Sequence, residues 1–560
     1  MMRARKFVGL FAALGLILAA CGGNDTNEPA ANNVEPETPN VEEVVEETAL
    51  LDENRRFIEP VTISVALWDR DHERVPVFAE SHWAEWVQER ILEDHNIIVE
   101  WYTVPRHGEP EFQSTALAAG TAADIGYTFD NPMVTTMAGM GGMHNLYDLL
   151  ESYRHLLPNL YDHLGENIYW NLDPDTRELW SITGRNMQHG RVVTFMREDW
   201  LETLGLDAPT TLEEFEATLK AFRDNAELLV DNPDRLVPYL LGADVAWDAG
   251  TLIESFIPSD ITEREWFVHG FDDRRFHHTE AAKEATRVLN RWFHEDLLWN
   301  DFVVAEAADG HNLIRQGYVG AMTANWDMPF RAADRWTLDM RDSVGEYVNF
   351  IPVAPFLNDA GDVRKFFPNP TDRFIFFPTS NENPLASLLY LDFISRPDVL
   401  EYLQFGVEGI HRETGADGGI TVLGETDTHE WPDHMFIPSA NNFDITMTAN
   451  GIAGVDTLKN AYPGITPERV LAARAIGMDN AYWKRQVQIR SIAAEEGMSG
   501  PLSDFRDQML HRIIVQSTPE TFDADWTREY TTYLALGAAD IIAEREQAWV
   551  ETFGDVDRMP

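Results

Sequence analysis

The sequence predicts an α/β protein, and three observations predict it. Strand-like and helix-like runs alternate from residue 61 onward. Hydrophobic residues make up 44% of the chain and aromatic residues 11%, enough for large packed cores. Beyond residues 1–20 no stretch is apolar for the about 20 residues that a spanning helix needs. Strands and helices alternating at this spacing imply a lobe built on a parallel sheet.

Each element follows from local pattern. Val61-Thr62-Ile63-Ser64-Val65-Ala66-Leu67-Trp68 is dense in β-branched residues and predicts a first strand. It runs into the polar loop Asp69-Arg70-Asp71-His72. Trp83, Trp86, Val87 and Ile91 fall on one face of a helix over 83–92. Ile97–Tyr102 is a second strand, 112–119 a second helix ended by Gly120, and 123–129 a third strand followed by Asp130-Asn131-Pro132. Later strands are expected within 314–326 and at 347–355, with a crossover near 364–377. Later helices are expected at 385–394, 467–477, 481–495 and 527–549. No internal repeat is visible.

The N-terminus has a different character. A basic start, Met1-Met2-Arg3-Ala4-Arg5-Lys6, precedes an apolar run from Phe7 to Ala20. That pattern predicts a secretory signal peptide and not a spanning helix. The run closes on Leu18-Ala19-Ala20-Cys21, and Cys21 is the only cysteine in the 560 residues. This stretch resembles the lipobox of bacterial lipoproteins, which implies a lipidated Cys21 at the mature N-terminus. Several acyl chains suffice for stable anchoring. Residues 22–60, rich in Asn, Pro, Glu and Thr, lack an apolar period and predict an extended acidic tether.

Composition narrows the function classes. The chain has 94 acidic and 43 basic residues, a net charge of −51. Nucleic acid is excluded as a partner, because no basic stripe offsets the repulsion from phosphates. Six Lys against 37 Arg, with the acid excess, suggest a surface adapted to salt or high pH outside the cell. A single Cys permits no disulfide, so folding relies on burial. The roughly 540 residues after the signal peptide suggest two to four domains.

Three longer motifs carry a resemblance. They are Trp200-Leu201-Glu202-Thr203-Leu204-Gly205-Leu206-Asp207-Ala208-Pro209-Thr210-Thr211, Gly317-Tyr318-Val319-Gly320-Ala321-Met322 and Gly406-Val407-Glu408-Gly409. With the lipobox and tether, they resemble extracellular solute-binding proteins of family 1, the sugar-binding group that includes maltose-binding protein, and most narrowly its LplA-type lipoproteins. In the first motif, Thr210 or Thr211 can cap a helix while Glu213 and Glu214 reach back, a structural role.

The resemblance implies a two-lobed, periplasmic-binding-protein-like type II fold with a hinge and an interlobe cleft. The expected divisions are a signal peptide at 1–20, lipidated Cys and tether at 21–60, and the first part of lobe 1 at 61–185. The first part of lobe 2 follows at 186–365, a return to lobe 1 at 366–430, and C-terminal helical segments shared between lobes at 431–560. It further implies capture of a carbohydrate, an oligosaccharide, for an ABC permease whose ATPase lies in the cytoplasm. The protein would be a monomer on the outer face of the cell membrane, with no cofactor and no enzymatic activity.

Sugars present apolar faces and polar rims, so rings stack on them while charged and amide groups bond their hydroxyls. The resemblance places such groups at strand ends, and the leading candidate is Trp326, after the Gly-Ala-Met strand. Trp68, Asp69 and Asp130 end the first and third strands. Trp247, Asp327, Glu408 and Arg185 complete the candidate set, each with a structural role as its alternative.

Two rivals stand beside this receptor. One is a membrane-tethered, polysaccharide-degrading enzyme, since paired carboxylates could serve a glycosidase. Among 94 acids, however, no spacing singles out a pair. His82, His277 and His278 lack the H-E-x-x-H arrangement, and neither a G-x-S-x-G elbow nor a Walker loop occurs. The other rival is a structural or sensory surface lipoprotein with no transport role; within the receptor class, a non-sugar polar solute is the alternative ligand. Asp173–Glu178 could hold calcium, but an Asp-Pro turn accounts for it better.

Overall fold

The structure is a computed structural model. It describes residues 50–557 except 70–77, 106–107, 174–175, 186–191, 272–279, 332–333, 364, 368–370, 417, 424–461, 463, 479–480, 484–488, 490–491 and 496. The expected signal peptide, Cys21 and most of the expected tether therefore lie outside the described residues.

Two sheets organise the molecule. In the first, β1 (Val61–Asp69) pairs in parallel with β2 (Ile97–Pro105). A parallel bridge, Val65 to Ile125, joins β1 to β3 (Gly126–Thr128). Strand β10 (Thr371–Phe376) then runs antiparallel between β3 and β4 (Ile182–Arg185). This sheet is mixed and not all-parallel as expected, because β10 returns from the far half of the chain. Its core runs from Phe57 through Ile63, Val87, Leu150 and Leu160 to Leu389 and Leu403.

The second sheet has the order β6-β7-β5-β8, with β5 (Val192–Arg197), β6 (Val237–Leu240), β7 (Val319–Asn325) and β8 (Phe350–Val353). Every residue of β5 is buried, because both faces are covered. Met196 packs with Phe215, Trp292 and Leu510 on one side. Val193 and Phe195 pack with Phe330, Trp336 and Val470 on the other.

Local sequence explains many element ends. Ser81 caps the helix His82–His95, and Asn96 ends it in a left-handed conformation with φ 57°. Thr211 caps the helix Leu212–Asp224 through Glu214 N–H, while the Glu214 carboxylate accepts from the N–H and hydroxyl of Thr210. Both threonines of the motif thus serve the helix start. Two expected helices differ. Within 481–495 the chain forms β13 (Ala481–Trp483), which pairs in parallel with β9 (Lys365–Phe367). Pairing with a distant strand overrides the local helical period. The run 527–549 is broken between the helices Phe522–Tyr533 and Ala539–Phe553 by a π-turn, where Gly537 takes φ 141°.

Chain connectivity fixes which ends of the two sheets matter. In the second sheet, Val192 lies opposite Asn325 and Thr194 opposite Val353. The start of β5 and the ends of β7 and β8 therefore share one edge. In the first sheet, Arg185 lies opposite Thr371, and Thr128 opposite Phe374. The ends of β3 and β4 and the start of β10 share the corresponding edge. The chain passes between these two edges after β4 and again between β8 and β10.

Candidate functional site

The candidate residues fall mostly on those crossover edges. On the first sheet, Trp68 is 1% exposed and lies beneath its neighbours. Its ring meets Tyr127 at 4.6 Å and Phe129 at 5.1 Å between centroids. Arg373 lies 5.3 Å from the Trp68 ring centroid and 5.9 Å from that of Tyr127, in a β-bulge where its own φ is 53°. The aromatic surface offered here belongs to Phe129, which is 42% exposed. Asp69 follows Trp68 as the last, half-buried residue of β1.

Asp130 caps the helix Asn131–Gly139, its Oδ1 accepting from Met133 N–H at 3.0 Å. Burial pushes its carboxyl up from the usual range, against the lowering effect of that bond. Arg185 ends β4 opposite Thr371.

On the second sheet, Trp326 leaves β7 with 8% exposure. It meets Tyr462 edge-on at 6.2 Å and sits in a cluster with Phe330, Val470 and Ala473. Asp327 is more deeply held. Its Oδ1 pairs with Arg331 at 2.7 Å, and its Oδ2 accepts from the Tyr462 hydroxyl at 3.2 Å. Both carboxylate oxygens are therefore engaged within the protein. Parallel pairing of β6 with β7 brings the end of β6 to the same edge. Half-buried Trp247 follows in the turn Val245–Asp248, which Asp244 caps. Asp248 Oδ2 accepts from Gly242 N–H at 2.8 Å and fixes that turn.

Glu408 is exposed and closes a loop, accepting from Thr414 N–H and Oγ1, both at 2.8 Å. Arg412 stands 3.5 Å away. In the segment expected to be an Asp-Pro turn, Asp173 Oδ1 accepts from Thr176 N–H at 2.9 Å.

The structure adds one group that the strand-end motifs did not reveal. Arg474, on the helix Pro467–Met478, lies 5.7 Å from the Trp326 ring centroid. Its Nη1 is buried with no hydrogen-bond partner, and no carboxylate pairs with it among the described residues. Burial lowers its pKa from the usual guanidinium value. Tyr462 and Arg474 reach this edge from sequence positions far from β7.

No family model matches the chain. Across 456 residues it is 21% identical to the polygalacturonan/rhamnogalacturonan-binding protein YtcQ of Bacillus subtilis, covering 80% of this chain and 84% of that protein. Among solved structures, the alginate-binding protein AlgQ2 superposes with a TM-score of 0.64 at 15% identity, covering 88% of this chain and 98% of that one. The FusA substrate-binding protein of S. pneumoniae, solved with fructo-nystose, gives 0.61 at 12% identity, covering 88% and 99%. An HMO-binding solute-binding protein from Bifidobacterium longum infantis gives 0.58 at 14%, also covering 88% and 99%. The chain has the two-lobed, periplasmic-binding-protein-like fold of these ABC-transporter solute-binding proteins.

Proposed function

We propose that the protein captures an oligosaccharide outside the cell and delivers it to an ABC permease. Ligand bridges the two crossover edges, and closure of the lobes traps it. One observation supports this reading: aromatic rings and polar groups stand at the strand ends beside the points where the chain crosses between the two sheets. Phe129, Asp69 and Asp130 lie on one edge, with Trp326 and Trp247 on the other. Ligands of open α/β sheets bind at such carboxyl ends. The polysaccharide named for YtcQ and the oligosaccharide bound to FusA support a sugar as the ligand.

The mechanism needs no covalent chemistry. A ligand that binds the closed form better than the open form shifts the hinge equilibrium towards it. The protein is proposed to be a binding protein and not an enzyme, to act as a monomer, and to be held at the membrane by lipid on Cys21. The acidic segment 22–60 would keep it within reach of the permease.

A thermal-shift screen of the mature chain against an oligosaccharide panel tests capture. A ligand at a hundred times its Kd should stabilise the fold by about 2.7 kcal/mol. Chromatography of the same mixtures should return the sugar intact, whereas cleavage products would favour the enzyme. Cys21→Ala should release the protein into the medium, and retention on the membrane would remove the lipid anchor from the proposal.

A further inference from the structure

The chain carries more than two carboxylates for every Lys or Arg, so an Arg without a carboxylate is unexpected. Two nearby arginines follow the rule. Arg331 pairs with Asp327 and Asp334, and Arg469, on the same helix as Arg474, pairs with Glu198 at 2.5 Å. Arg474 lacks such a partner among the described residues, though its Nη1 is buried. A buried donor left unmet costs free energy, more so when it carries charge. The nearby Trp326 ring offers a cation–π contact but no acceptor in the plane of the guanidinium. A planar guanidinium matches a carboxylate, which it can hold with two parallel bonds.

We propose that Arg474 is the carboxylate-binding group of the ligand site, and that the sugar unit beside Trp326 is a uronate. This rests on the capture of an oligosaccharide proposed above and narrows it to an acidic one. The uronate carboxylate accepts from Arg474 while the apolar face of the sugar packs towards Trp326. A neutral sugar at the same place leaves the guanidinium as it stands, with its buried N–H unmet.

The test compares a short oligogalacturonide with its methyl-esterified form of equal length, by calorimetry on the full mature chain. The wild type should prefer the free acid. Arg474→Gln should weaken binding of the acid about ten- to a hundredfold, the value of hydrogen bonds to a charged group, and leave the ester nearly unchanged. Arg474→Lys keeps the charge without the planar fork and should fall between the two. Equal losses on both ligands, or no loss on either, would assign Arg474 a structural role and overturn the proposal. Wild-type binding of neutral oligosaccharides alone would also overturn it while leaving the receptor standing. No binding of any sugar in the panel would remove the receptor itself.

Discussion

Trp326 and Asp327 are adjacent in sequence, yet their surroundings differ. Asp327 neutralises Arg331 inside the protein, where the two side chains are 2% and 10% exposed. Removing one member of a buried pair strands the other, at a cost of about 3–5 kcal/mol. Asp334, 3.6 Å from Arg331, offers partial compensation. Asp327→Ala should therefore lose about 3 kcal/mol, seen as a lower urea midpoint with an unchanged slope. Trp326→Ala should instead weaken sugar binding by roughly 1–3 kcal/mol, the range for a packed aromatic anchor. Unchanged affinity in calorimetry would remove Trp326 from the site. His311 gives a residue-scale pH dependence. Burial, with Arg315 nearby, pushes its imidazole down to about 4 from 6.5. The folded state thus binds its proton more weakly than the unfolded chain does. Its contribution to stability is present above pH 6.5 and is lost as the pH falls towards 4. His311→Phe, which keeps a ring beside Trp336, should flatten the stability curve in that window. A slope unchanged by the substitution would place the proton elsewhere.

At the scale of elements, strand β7 shows what a motif was for. A Cβ on Gly320 would lie 2.8 Å from the Pro238 carbonyl oxygen and 2.8 Å from the Trp200 ring. The glycine lets β7 pack closely against its neighbours. Gly320→Ala should cost about 1–3 kcal/mol, the usual penalty of overpacking, with sugar affinity retained in the folded fraction. Denaturation curves that overlay those of the wild type would show that the neighbouring groups move aside freely. Such motifs were legible because they are local, as was the double-threonine start of the helix Leu212–Asp224. The alternation that predicted β1, β2 and their intervening helix is also local. The β13–β9 pairing was not legible, since its hydrogen bonds join segments far apart in the chain. The same holds for the site. Trp326 could be singled out from its strand, but its partner Tyr462 bonds Asp327 across 135 residues of sequence. Arg474 became a candidate only when its missing acceptor could be seen. On the first sheet, the pair Trp68-Asp69 drew notice by position, yet Trp68 is buried and Phe129 is the exposed ring beside it.

For the whole molecule, the charge of −51 sets two opposing salt effects. Unpaired carboxylates repel one another across the surface, and folding concentrates them. Surface ion pairs act in the other direction, as where Arg264 pairs with Asp555 at 2.7 Å or Lys220 with Glu295 at 2.8 Å. Exposed pairs are worth about 0–1 kcal/mol each and are weakened by salt. With 94 acids and 43 bases, pairing leaves 51 carboxylates without a fixed cation, so repulsion outweighs the attraction within pairs. Raising NaCl from about 0.01 M to about 1 M shortens the screening length from about 30 Å to about 3 Å. Tm should therefore rise steadily across that range. The buried Arg331–Asp327 pair is screened far less, so the stability gap between the wild type and Asp327→Ala should persist at high salt. A Tm that falls with NaCl would mean that the surface pairs, and not the excess acids, dominate the electrostatics of folding.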